Sequence, residues 1–410
     1  MRTLTIWLAF TALVLGFTGA HAADDALLVA ARADRAATLD TLRQLVSFDS
    51  GTLNGDGVRK VADIVEPRLQ AMGFATERLD AKPSAGVNVV GRLHGKGSKK
   101  VLLLAHMDTV YLDGTAVKQP FRIDGNKAYG VGIADDKAGI AVVLHAVALL
   151  KAAGFDDFGR ITVLFNADEE RGSAGSRELI KKLAAESDAV LSFEGTGIER
   201  ESIRTGTSGI ARVTVTIIGK ASHAGAAPER GVNALVEAAD LVLRTQDIDD
   251  RAKGLRFNWT VERAGEVSNI IPDQATVEAD VRYRREADLE EALAKLRERV
   301  ARQRLKDAKL EVAVSRGRPP LMSTDGARRI VKIAQAIYSE IGLTLDESEG
   351  GGGGTDAAYA ATTNQAVVES MGLPGAGVHA NSEEYVVVDR IPARLYLAAE
   401  LIKRVLSAKE

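Results

Sequence analysis

From 138 to 152 the chain is apolar on every side, and from 101 to 105 it is an unbroken run of Val, Leu and Ala. The first stretch predicts a helix buried all round, the second a strand covered on both faces. Similar segments alternate through the first half of the chain. Apolar residues at three-to-four spacing predict helical structure from 25 to about 72. Strands are predicted at 87–93, 99–105, 160–166 and 189–193, with a helix at 177–185. This alternation predicts an α/β layered domain with a largely parallel mixed sheet.

The pattern changes near Gly206. Residues 210–217 alternate apolar and polar, as a half-exposed antiparallel strand does. A helix at 233–245, strands at 257–264 and 274–283, a helix at 289–302 and a strand at 309–315 follow. The order βαββαβ is a ferredoxin-like split unit. Helices at 327–341 and 391–406, with a strand at 365–370 between them, return to the first style. The expected organisation is one domain at 23–207 and 320–410, interrupted by a smaller α+β domain at 208–319.

Composition narrows the function classes. With 46% hydrophobic and 27% charged residues, the 410-residue chain reads as an ordinary globular protein. A net charge of −3 gives no case for binding nucleic acid or an anionic membrane. There is no cysteine, which excludes disulfides, thiol nucleophiles and thiolate-bound metals together. Any metal must be held by His, Asp and Glu. The start, Met1-Arg2, an apolar stretch from Leu4 to Phe17 and then Ala20-His21-Ala22, reads as a secretory signal peptide removed after Ala22. The expectation is an exported protein, periplasmic in a Gram-negative source, with no membrane association once the signal is gone.

The candidate chemistry sits at strand ends. Glu169-Glu170 follow the apolar strand 160–166. In an extended chain, neighbouring side chains point to opposite sides, so one carboxylate could bind a metal while the other faces a water. Taken alone, the pair reads first as a solvated strand end, the usual fate of adjacent glutamates. His106-Met-Asp108 follows the strand 99–105, and residues two apart share a face, so Asp108 could orient a metal-binding His106. Glu194 lies just past another strand. Ligands in open α/β sheets sit at such carboxyl ends. Asp135-Asp136 stands in a Gly-rich loop before a helix, where a capping role is also open. Of six histidines, His21 falls in the leader, His94 in a turn and His145 in an apolar helix, which leaves His106, His223 and His379. Two zinc ions would balance Asp135, Glu170, Glu194 and a hydroxide, with two histidines completing the set.

Together, His106-Met-Asp-Thr-Val-Tyr111, Gly132-Ile-Ala-Asp-Asp-Lys137, Asn166-Ala-Asp-Glu-Glu170, Ser192-Phe-Glu194, Gly219-Lys-Ala-Ser-His-Ala-Gly225, Val267-Ser-Asn-Ile-Ile-Pro272, Gly352-Gly-Gly-Thr-Asp-Ala357 and Gly372-Leu-Pro-Gly375 form a specific set. Through them the chain resembles the dinuclear zinc metallopeptidase family of carboxypeptidase G, the aminoacylases and succinyl-diaminopimelate desuccinylase. The resemblance covers nearly all of the mature chain. It implies a zinc exopeptidase-type catalytic domain and an inserted ferredoxin-like dimerisation (lid) domain.

The resemblance further implies that His106 and Glu194 hold one of two zinc ions per chain. Glu170 and His379 hold the other, and Asp135 bridges them across a cis Asp135–Asp136 peptide. Glu169 would be the general base acting on the bridging water and then the acid for the leaving amine, with Asp108 orienting His106. His223 would reach the active site of a partner in a homodimer. Arg282 would pair with the terminal carboxylate of the substrate, and Asn269 and Gly354 are further substrate-binding candidates. The implied activity is glutamate carboxypeptidase, acting on small N-acyl-glutamates and folate-like compounds. The alternatives are another N-acyl-amino-acid amidohydrolase or dipeptidase, or a non-catalytic metal-binding dimer, which would be expected to lack a ligand or the base. Two positions depart from the carboxypeptidase G pattern within that family. Ser202 stands where a lysine is found, with Arg200 and Arg204 the candidates to replace its charge. Gly350-Gly351 stand where Arg-Thr is found.

Overall fold

The computed structural model describes residues 23–351, 353–380 and 383–407, so the signal-peptide reading lies outside the described residues. A six-stranded sheet forms the centre of the larger part of the fold. In spatial order its strands are Ala75–Asp80, Val87–His94, Arg160–Asn166, Lys100–His106, Ala189–Ser192 and Val367–Val368. The last four run parallel to one another, Val87–His94 runs against them, and Ala75–Asp80, antiparallel to Val87–His94, points the same way as the four, which gives the expected mixed but mainly parallel sheet.

Burial explains the unbroken apolar runs. Six of the seven residues of Lys100–His106 are buried, because helices cover both faces of the sheet. The helix Ala138–Ala152 packs against that strand and against the helices Arg35–Leu45 and Ile391–Ser407. With neighbours on several sides it has no solvent stripe, so its sequence is apolar all round.

The second sheet is built by the other rule. Its order is Arg256–Ala264, Gln274–Tyr283, Gly209–Ile218 and Lys309–Arg316, all antiparallel. Gly209–Ile218 and Gln274–Tyr283 alternate buried and partly exposed residues. One face packs on the helices Ala234–Arg244 and Glu286–Val300 around a separate apolar cluster, and the other is open. The chain enters and leaves this sheet through paired segments: Ile210 N donates to Arg318 O at 2.9 Å and Gly317 N donates to Ile210 O at 2.8 Å.

Some local expectations change. The strand expected at 365–370 shrinks to Val367–Val368, because Ser370 turns out of the sheet with a φ of 73°. Glu286–Val300 starts earlier than the apolar pattern suggests, with Glu286 and Asp288 stabilising its first turn. Thr324 caps Asp325–Glu340 by accepting from Ala327 N at 3.0 Å, which also moves that start forward. Glu169 and Glu170 are not in an extended strand. The strand ends at Asn166, and Glu169–Arg171 form a single helical turn closed by Gly172 with a φ of 87°. Buried Asp168 makes that turn by accepting from Ser84 Oγ, Gly175 N and Ser176 Oγ.

Candidate metal centre and active site

Three adjacent parallel strands deliver the donors. Lys100–His106 lies between Arg160–Asn166 and Ala189–Ser192, so their carboxyl ends open on one edge. His106 ends the first strand, Glu169 and Glu170 follow the second, and Glu194 follows the third. That edge is where open α/β sheets bind ligands.

Asp135 comes from the loop before Ala138–Ala152, across a cis Asp135–Asp136 peptide. The buried carboxylate of Glu384 fixes this loop. One oxygen accepts from Ala134 N at 2.8 Å and Asp135 N at 3.0 Å, the other from Tyr111 Oη at 2.6 Å and Gly132 N at 3.2 Å. Gly139 lets the helix begin close to the Glu194 strand. A Cβ there would lie 2.3 Å from the Phe193 carbonyl oxygen and 2.3 Å from Asp136 Oδ1.

Two donor groups share Asp135. His106, Asp135 and Glu194 form one; Asp135, Glu170 and His379 form the other, and within each the ligand atoms lie within 4.8 Å of one another. His106 Nε2 is 3.1 Å from Asp135 Oδ1 and 3.5 Å from Glu194 Oε1. His379 Nε2 is 3.1 Å from Asp135 Oδ2 and 3.3 Å from Glu170 Oε2. Two donors of one tetrahedral ion with bonds of about 2.0–2.1 Å stand roughly 3.3 Å apart. Each imidazole nitrogen faces two carboxylates, and a single N–H proton serves both less well than a cation between them. Glu170 Oε1 is buried without a hydrogen-bond partner. The all-oxygen-and-nitrogen donor set therefore fits two divalent cations bridged by Asp135.

The electrostatics agree. Asp135 and Glu170 push the His379 imidazole up to about 10. Burial opposes a charge on His106, yet Asp108, Asp135 and Glu194 hold it well above its ordinary value. Burial raises Glu170 and Glu194. The pocket thus holds more carboxylate than its two histidines neutralise.

Glu169 stands beside these groups without joining either. It is 5% exposed, and burial raises its carboxyl well above the ordinary range despite Arg318 and His106 nearby. A carboxyl tuned upward beside a cation site is suited to taking up and returning a proton. Asp108 does more than the sequence suggests. Its carboxylate lies 3.2 Å from His106 Nδ1, and it also accepts from Glu169 N at 3.0 Å, Glu170 N at 3.1 Å and Thr52 Oγ at 2.7 Å.

Among the substrate-binding candidates, Arg282 and Gly354 line the cleft of about 610 Å³ that holds Asp135, Glu169, Glu170, Glu194 and His379. Arg282 also makes a two-pronged pair with Asp280 at 2.8 and 2.9 Å. His223 and Asn269 are exposed on loops of the second sheet and do not line this cleft. His223 Nδ1 accepts from Gly225 N and Ala226 N, both at 3.1 Å. Sequence reasoning missed Arg318 and Glu384. Arg318 lies 2.8 Å from Glu169 Oε1 and 3.7 Å from Asp356, and its local sequence, Arg316-Gly-Arg-Pro-Pro320, signals only a turn.

The model of peptidase family M20/M25/M40 matches residues 102–404. Carboxypeptidase G2 of Pseudomonas sp. (strain RS-16) is 52% identical over 402 residues, covering 98% of this chain and 97% of that protein. The succinyl-diaminopimelate desuccinylase of Delftia acidovorans is 27% identical over 383 residues, covering 87% of this chain and 95% of that one. A tripeptidase structure from Staphylococcus aureus matches with a TM-score of 0.79 at 23% identity, covering 91% of this chain and 99% of that one. The YXEP protein of Bacillus subtilis, a dinuclear metal binding peptidase from the M20 family, matches with a TM-score of 0.70 at 17% identity, covering 94% and 100%. At these identities the two structures speak for the fold alone.

Proposed function

The chain belongs to peptidase family M20/M25/M40, and from that premise we propose that it is a two-zinc glutamate carboxypeptidase. Its reaction is hydrolysis of the amide bond to a C-terminal glutamate in N-acyl-glutamates and folate-like compounds. The observation that carries this reading is the buried Glu169 beside two donor groups that share Asp135.

His106, Glu194 and Asp135 would hold one zinc, and Asp135, Glu170 and His379 the other. When bound, the zinc pair supplies Lewis acidity toward water and the scissile carbonyl. Glu169 accepts the proton of the attacking water and delivers it to the leaving nitrogen. Asp108 fixes the His106 ring and the backbone of the Glu169 turn together. Arg282 takes the terminal carboxylate of the substrate, exchanging contacts with Asp280 for a bidentate pair. Gly354 borders the cleft as a backbone contact for the same end of the substrate.

His223 and Asn269 lie outside the cleft of their own chain, so we assign them to the active site of a second copy in a homodimer. Support comes from the second sheet, where Leu235, Val236 and Leu243 are 39%, 40% and 67% exposed on one helix beside the edge strand Arg256–Ala264. An apolar helix face next to an unpaired edge is a surface that a copy of the same chain covers. Export follows from the leader-like residues 1–22.

A panel of N-acyl amino acids tests the substrate. Release of glutamate faster than aspartate or apolar amino acids is expected. Preference for an apolar product would replace this reading with a different acyl-amino-acid hydrolase of the same site.

A further inference from the structure

Three guanidinium groups line the cleft: Arg204, Arg282 and Arg318. Two of them have carboxylate partners. Arg318 is paired with Glu169 and Asp356, and Arg282 with Asp280. Arg204 differs. Among the described residues its side chain makes no ion pair, and its Nε is buried without a hydrogen-bond partner. A buried donor left unpaired is costly, so such a group persists where something else completes it.

Its backbone is held on all sides. Arg204 N donates to Glu369 O at 2.8 Å, and Glu369 N donates to Arg204 O at 2.9 Å. Two residues earlier, Ser202 N and O both bond Thr196 Oγ1 at 2.9 Å. The next residue, Thr205, donates its N–H to Ser348 O at 2.9 Å. Ile203 is fully buried, so strand alternation turns Arg204 to the opposite side, toward the cleft. Arg200, the other candidate for a cationic contact, pairs with Asp346 at 3.2 Å with its side chain 84% exposed, and does not line the cleft. The cation is therefore presented to the ligand from the short strand Ser202–Arg204, which pairs with Asp346–Ser348 in a two-stranded sheet of its own, separate from Arg282 on the antiparallel sheet.

We infer that Arg204 is a specificity-determining residue that binds the side-chain carboxylate of the C-terminal residue. This rests on the carboxypeptidase reading, in which Arg282 is assigned to the terminal carboxylate. A C-terminal glutamate carries two carboxylates, and the cleft offers each a guanidinium from a different sheet. A planar fork suits a carboxylate bidentately, whereas a neutral amide in its place leaves charge and donors unmatched.

The test measures kcat/KM for N-acyl-glutamate and for its neutral isostere N-acyl-glutamine, in wild type, Arg204→Met and Arg204→Lys. Wild type favours glutamate. In Arg204→Met the glutamate-over-glutamine ratio falls about 100-fold, as expected when a charged partner is lost. Arg204→Lys, which keeps the charge without the fork, retains an intermediate ratio. A ratio in Arg204→Met equal to that of wild type would overturn the assignment, because a structural role lowers both rates together. Wild type that cleaves both substrates equally would overturn it too, while leaving the exopeptidase reading in place. No release of any amino acid by zinc-loaded wild type would instead overturn that underlying reading.

Discussion

Arg318 sets a guanidinium nitrogen 2.8 Å from Oε1 of Glu169, and both residues are nearly excluded from solvent, at 7% and 5% exposure. The same arginine accepts a backbone bond from Ile210 where the chain passes between the two sheets. It therefore joins the proposed base to the segment that passes between the two sheets. Removing one partner of a buried pair leaves the other charge uncompensated, at about 3–5 kcal/mol. Arg318→Met is expected to lower unfolding stability on that scale. Combined with Glu169→Gln, the loss should be smaller than the sum by more than about 1 kcal/mol. Denaturant unfolding of the four proteins checks this, and strict additivity would count against the pairing.

Glu384 makes a different kind of claim. It touches backbone donors of the Asp135 loop and lies on the same segment as His379, but it belongs to neither donor group. Glu384→Ala removes the anchor from Gly132, Ala134 and Asp135. Zinc affinity is expected to fall about 10–100-fold although every ligand remains, as for other outer partners of metal ligands. A competition titration with a chromophoric chelator measures it, and wild-type affinity would contradict the anchoring role.

These two residues mark where the sequence stops being readable. The central strands were legible because burial on both faces leaves unbroken apolar runs, as in Lys100–His106. The second sheet was legible because one open face imposes alternation. His106, Glu170 and Glu194 were legible because they follow strand ends, whereas Asp135 stands in a Gly-rich loop before a helix and His379 in a turn. Arg318 and Glu384 had no such signature. Their partners lie 149 and 250 residues away, so their meaning depends on contacts that only folding creates. The turn at Glu169–Arg171 was missed for a related reason: Asp168 bends the chain through side-chain bonds that no periodicity records.

The proposed homodimer makes a prediction that a monomeric site does not. Glu169→Gln and His223→Ala chains should each be nearly inactive alone. In randomly assorted mixtures, half of the dimers pair one of each, and one of their two sites has both residues intact. Recovery of about a quarter of wild-type activity is expected for such a two-fold assembly. Co-expression of the two chains with activity assays checks it. No recovery would place His223 outside the partner's site.

Metal removal should be visible without substrate. Stripping the centre leaves Asp135, Glu170 and Glu194 facing one another in a buried pocket. A ligand that binds the folded state alone adds about 2.7 kcal/mol at a hundredfold excess over its Kd. Chelation is expected to lower the thermal midpoint, and two equivalents of zinc per chain to restore it. A midpoint indifferent to chelator would argue against a metal centre built from these residues.

The most direct test of the whole account is Glu169→Gln, assayed for N-acyl-glutamate hydrolysis and zinc content on the same preparation. The account predicts two zinc ions per chain and a kcat lower by about 10³-fold, the scale of a lost general base. Undiminished turnover with both metals bound would contradict it.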